Sequence, residues 1–166
     1  MKKTYLLLAC LLLTTAVFSV SALGTTEIVL HSPYKAPLRL PDLPMTTTKG
    51  TQINAQALEG KVVLILFQPD CDHCQREAED IHEHLDAFDE YSIYFVANAP
   101  MRDIQKFAQD YQLNEQDNIF FAYAELQPIL DSFVSIPTPS LYIYSNQQLV
   151  KAFEGETPIE KILEHL

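Results

Sequence analysis

Apolar residues along this chain fall into blocks that alternate between two rhythms. Val62-Val63-Leu64-Ile65-Leu66-Phe67 is apolar at every position, which suits a central strand covered on both faces. From Cys74 the apolar positions run Ala78, Ile81, Leu85 and Phe88, a stripe at helical spacing that predicts one helix reaching Phe88. Tyr91 to Ala97 predicts a second strand, Met101 to Tyr111 a helix with Ile104, Phe107, Ala108 and Tyr111 on one face, and Asn118 to Tyr123 a third strand. Leu126, Ile129, Leu130 and Phe133 mark a short helix entered through Pro128. Leu141 to Tyr144 and Leu149 to Phe153 flank Ser145-Asn146-Gln147-Gln148 and predict an antiparallel hairpin. Thr157-Pro158-Ile159-Glu160 predicts a final helix with a threonine cap, a proline in its first turn and a capping-box acid.

Upstream the pattern is different. Residues 1–22 resemble a secretory signal: Lys2 and Lys3 form a basic start, Tyr5 to Val20 an apolar stretch, and Val20-Ser21-Ala22 a small-residue cleavage site. Retention of this stretch as a membrane anchor is the alternative, since its length approaches what spans a bilayer; a lipidated Cys10 is the weaker one. Residues 23–43 carry Pro33, Pro37 and Pro41 with little periodicity, with Pro44 just beyond, and read as an extended arm. Residues 44–166 form the expected domain, opening on a small hairpin, Thr46 to Asn54, turned at Lys49-Gly50. The order of strands and helices is that of an α/β domain with one core, for which about 144 residues suffice.

Charge narrows the partners. Lysine and arginine total 11 against 22 aspartate and glutamate, a formal net charge of −11, which argues against nucleic acid or an anionic membrane surface. An exported protein also meets an oxidising compartment, periplasmic or otherwise extracytoplasmic, where disulfides persist.

The chemistry is concentrated in Cys71-Asp72-His73-Cys74, directly after the apolar strand. Two thiols two residues apart at a helix start can close and reopen without backbone movement, and the helix N-terminus offers unpaired N–H groups that stabilise a thiolate. A structural zinc site would need four ligands, and the only other cysteine is Cys10. A static bridge across two residues would constrain the unfolded chain very little. On the helix, Cys74 lies in the apolar stripe and Cys71 in the first turn or cap. An exposed Cys71 can therefore attack a substrate disulfide and a shielded Cys74 resolve the mixed disulfide. His82 and His84 are two apart, poor spacing for a shared ion, and belong to a charged, solvated helix face.

Gly60-Lys61-Val62-Val63-Leu64, the Cys71–Cys74 motif, Glu77, and Thr138-Pro139-Ser140-Leu141-Tyr142 before the last hairpin together resemble the exported thiol-disulfide oxidoreductases of the thioredoxin fold, the branch that includes the TlpA and ResA proteins. The likeness extends over residues 36–166. It implies a thioredoxin fold, a central mixed sheet flanked by helices with an N-terminal extension. It also implies a cis-proline facing the dithiol, with Pro139 after Thr138 the best match and Pro137 the alternative. By the same likeness Glu77, six residues after Cys71, would exchange protons with the thiols; the other reading is a first-turn acid complementing the helix dipole. The chain departs from the pattern in having Asp70 where an aromatic precedes the first cysteine, in having no tryptophan, and in having Ile65 where thioredoxin keeps a buried acid. Asp70 and Asp72 disfavour a thiolate at Cys71, while a protonated His73 favours it.

The expected activity is exchange, reduction above all, of disulfides in protein substrates. It uses no cofactor beyond the Cys71–Cys74 disulfide itself, and its partners are protein thiols and disulfides and an unidentified electron donor. Two alternatives come from other classes: copper delivery by Cys71, Cys74 and a histidine, since thiolates suit Cu(I), and a catalytically weak domain that only binds partners. A peroxidase is the weaker reading, because no Pro-x-x-x-Thr-x-x-Cys pattern precedes the helix.

Overall fold

In the computed structural model, the structure describes residues 36–134 and 136–166. The signal segment and residues 23–35 of the arm lie outside the described residues. The described elements in chain order are β1 (Pro44–Thr47), β2 (Gln52–Asn54), β3 (Lys61–Leu66), α1 (Asp72–Glu83), β4 (Ser92–Ala97), α2 (Met101–Asp110), β5 (Ile119–Ala124), α3 (Leu126–Ser132), β6 (Ser140–Ser145), β7 (Gln148–Glu154) and α4 (Ile159–Leu163). They build one sheet in the order β2-β1-β5-β4-β3-β6-β7. The central three, β5-β4-β3, are parallel, whereas β1, β2, β6 and β7 join antiparallel. This is the mixed, helix-flanked sheet of the thioredoxin fold.

The apolar run of β3 explains its central place. Val63, Ile65 and Phe67 enter one core with Cys74, Ala78 and Ile81 of α1, Phe107 of α2 and Ile159 and Ile162 of α4. Val62, Leu64 and Leu66 enter the other, with Ile129 of α3 and with Tyr142 and Tyr144 of β6. A strand alternates its side chains, so burial on both faces demands apolar residues at odd and even positions alike. Phe67 fixes the point where the chain leaves the sheet for the dithiol: its ring lies 4.7 Å from that of Phe107 and 5.6 Å and 6.1 Å from those of Phe95 and Phe121.

Three local expectations change. The first helix ends at Glu83 and passes into a separate 3₁₀ turn, Leu85–Phe88, instead of continuing. His84 is responsible: its Nδ1 lies 2.8 Å from the Asp80 carbonyl, and its own N–H bonds to Ile81, three residues back. The last helix starts at Ile159, one residue later than expected, so that Pro158 rather than Thr157 is its N-cap residue and no side chain caps it; Thr157, one position outside, donates its hydroxyl to the Gly155 carbonyl at 3.1 Å. Residues 36–43, read as part of the arm, lie against the domain: Ala36, Leu40 and Leu43 are buried in the second core, and the Tyr144 hydroxyl donates to the Pro37 carbonyl at 3.1 Å. The β6–β7 turn takes only Asn146 and Gln147, at φ 49° and 67°, the two-residue turn whose twist matches a hairpin.

Candidate functional site

The dithiol sits where β3 hands over to α1. Cys71 is the N-cap residue of α1, with extended backbone, and its Sγ accepts the N–H of Cys74 at 3.4 Å. A thiol in this position replaces the serine or aspartate that ordinarily caps a helix, so one of the orphan N–H groups points at sulfur. From across the site, Thr138 brackets the same atom: Cys71 Sγ lies 3.6 Å from the Thr138 carbonyl oxygen, and the Thr138 hydroxyl donates to Sγ at 3.9 Å. The Thr138–Pro139 peptide bond is cis, and Pro139 leads into β6, the neighbour of β3. Pro137, the other candidate, has no cis bond; its carbonyl accepts from the Ser140 hydroxyl.

Environment divides the two sulfurs. Both are free thiols, Cys71 half-buried and Cys74 buried. Desolvation would raise the Cys71 thiol, but hydrogen bonds from Cys74 and Thr138 outweigh it and hold the thiol below its ordinary value. Burial pushes the Cys74 thiol far up, and hydrogen bonding to Cys71 pushes it further. A low outer thiol and a high inner one are the division that an attacking and a resolving sulfur require.

One turn along α1 from Cys74 is Glu77, 2% exposed, with both carboxyl oxygens buried and without a hydrogen-bond partner. Burial raises its pKa to about 8; the backbone N–H of Thr157 opposes the shift without completing a hydrogen bond, and the charges of Glu156 and Asp80 add to it. A first-turn acid that merely complements a dipole would face water. Glu77 does not.

His73 is exposed. Its Nδ1 contacts Glu156 and lies 2.7 Å from Arg76 Nη2. Arg76 in turn donates to Glu156 through Nε at 2.6 Å and Nη2 at 2.7 Å, and those contacts hold the Glu156 carboxyl down at about 2. Arg76 and Glu156 had no signal in the sequence. Arg76 is one helical turn from His73 and so shares its face, but Glu156 follows β7, 80 residues beyond Arg76, and only the packing of α4 beside α1 brings it there. Asp70 and Asp72 are exposed, as sequence neighbours at a helix start would be. His82 departs from the solvated face expected of it, since its Nδ1 is buried without a partner.

A model of the AhpC/TSA family matches residues 38–152. The chain belongs to the AhpC/TSA family. No curated protein matches the sequence significantly, but solved structures do in fold. The MTB protein dsbF, in mixed oxidized and reduced forms, superposes with a TM-score of 0.63 at 19% identity, covering 78% of this chain and 96% of that one. A secreted Mycobacterium tuberculosis disulfide oxidoreductase homologous to E. coli DsbE gives 0.59 at 17% identity over 75% and 93%. Arabidopsis thaliana ScoI with copper bound gives 0.61 at 11% identity over 76% and 94%.

In this AhpC/TSA-family chain two recesses are lined by chain neighbours of the dithiol and by Thr138, though by neither cysteine. One, of about 480 Å³, is bordered by Gln68, Pro69, Asp70, Phe107 and Tyr111. The other, of about 300 Å³, is apolar, with Leu126, Ile129, Leu130 and Ile136 facing Thr138. Among the described residues no group of three or more His, Cys, Asp or Glu could hold a metal ion, and no helix is long and apolar enough to cross a membrane.

Proposed function

We propose that this chain is an exported thiol-disulfide oxidoreductase that reduces disulfides of protein substrates in an extracytoplasmic compartment. The reading is carried by one observation, the thiol of Cys71 as N-cap of α1, facing outward between the Cys74 N–H and Thr138. In the proposed cycle the Cys71 thiolate attacks one sulfur of a substrate disulfide, forming a mixed disulfide and releasing the other sulfur as thiolate. Cys74, deprotonated in turn, attacks Cys71 and expels the second substrate thiol, leaving Cys71–Cys74 oxidised. Glu77, one turn along α1 from Cys74 and with its pKa raised to about 8, is proposed to exchange the Cys74 proton, its ionised fraction accepting it. A donor dithiol resets the pair. Pro139 and Thr138 form the surface against which the substrate chain would lie.

The likeness to a copper-bound ScoI keeps the metal-delivery reading in view, yet His73, the histidine of the motif, spends its Nδ1 on Glu156 and Arg76. A peroxidase reading lacks its residues, since Leu64 and Gln68 stand where Pro and Thr would precede Cys71 in that pattern. The test is turnover: the reduced protein, with a small-thiol donor, should reduce the interchain disulfides of insulin, and Cys71→Ser should abolish it. Stoichiometric Cu(I) binding lost in both cysteine variants, with insulin untouched, would replace the proposal by metal delivery.

A further inference from the structure

Arg76 follows Asp72 by one helical turn, and side chains on a helix lean toward its N-terminus. Left to itself its guanidinium would extend toward the start of α1, where Cys71 caps the helix. It does not reach that sulfur. Both Nε and Nη2 are held by Glu156 at 2.6 and 2.7 Å, and His73 Nδ1 is drawn into the same cluster. The hydrogen-bond partners of Cys71 Sγ are Cys74 and Thr138, with neither imidazole nor guanidinium among them, although Arg76 still feels the Cys71 charge through space.

We propose that Glu156 is a positioning residue that sets the reactivity of Cys71 by holding the basic side chains at the start of α1, Arg76 and His73, away from the sulfur. The inference rests on Cys71 being the attacking thiol. The charged and titratable groups around it are Asp70 and Asp72 beside it in the chain, Cys74, His73, Arg76 and buried Glu77 on α1, and Glu156 from the segment before α4. Of these only Glu156 binds both Arg76 and His73. His73 Nδ1 either donates to Glu156 or accepts from Arg76, since one ring nitrogen cannot do both; in either state the cluster closes on itself rather than on Cys71. The device keeps the outer thiol less acidic than a helix start with the Arg76 guanidinium beside the sulfur would make it, which favours a reductant over an oxidant.

The test is the pH dependence of iodoacetamide alkylation of Cys71 in the reduced protein, compared across Glu156→Gln, Arg76→Gln and the double variant. Released from Glu156, Arg76 should stabilise the thiolate: Glu156→Gln should alkylate about three- to fivefold faster at pH 6, the size of a half-exposed charge interaction. Arg76→Gln alone should change the rate less than about twofold, and in the Glu156→Gln background it should restore the parent rate. Glu156→Asp keeps the charge but is too short to hold both nitrogens, so it should shift the profile in the same direction as Gln and serves also if the Gln variant fails to fold. Additive effects of Arg76 and Glu156, or a Glu156→Asp profile that overlays the parent with the fold intact, would overturn the proposal. Alkylation needs no protein substrate, so the outcome stands apart from whether insulin is reduced.

Discussion

The N–H of Cys74 points at the sulfur of Cys71 from 3.4 Å, so the buried cysteine supplies, through its backbone, the hydrogen bond that stabilises the half-buried one as thiolate. The same geometry that lowers one thiol leaves the other desolvated. Reactivity at neutral pH should therefore be confined to one sulfur. Brief treatment of the reduced protein with limiting iodoacetamide at pH 7, followed by peptide mass mapping, should place nearly all label on Cys71. Equal labelling of Cys74 would show that the inner thiol is neither buried nor held protonated.

Glu77 makes stability depend on pH. Its folded pKa, about 8, lies above the ordinary carboxylate value of 4.5, so the folded state retains a proton that the unfolded chain releases. The stabilisation is complete below about pH 4.5 and is lost as pH rises to about 8, on the order of a few kcal/mol for so large a shift. Denaturant unfolding of the parent should show this fall between pH 5 and 8, and Glu77→Gln should flatten it. Identical pH dependence in the two proteins would mean that Glu77 is ionised and solvated.

Phe67 ties the dithiol loop to the core, 1% exposed and in ring contact with three phenylalanines. Phe67→Ala should cost about 3–5 kcal/mol through lost burial and the cavity left behind, read as a lower denaturation midpoint with an unchanged slope. A loss under about 1 kcal/mol would mean that the neighbouring rings collapse into the gap.

The sheet was legible because its signals are local. An apolar block such as Val62 to Phe67 or Leu141 to Tyr144 states its own burial, and Asn146-Gln147 falls between two such blocks. Cys71 and Cys74 were legible for the same reason, four residues carrying both the motif and the helix start. The end of the first helix was not, since the apolar stripe runs on to Phe88 and only the His84 ring, taking the Asp80 carbonyl, breaks it. Thr157 looks like a cap because a threonine before proline and an acid has that pattern in sequence, while the helix starts one residue later with Pro158 at the cap position. Arg76 and Glu156 lay beyond reach: their pairing joins α1 to the segment before α4, and no spacing within either segment announces the other.

The central claim is the order of the two sulfurs, and trapping measures it most directly. Cys74→Ser, mixed with a disulfide-bonded protein such as insulin, should accumulate a stable mixed disulfide through Cys71, since the resolving thiol is gone. Non-reducing gels with mass mapping should find that adduct in Cys74→Ser and none in Cys71→Ser. An adduct on Cys74 in the Cys71→Ser variant, or none in either, would contradict the assignment of Cys71 as the attacking thiol.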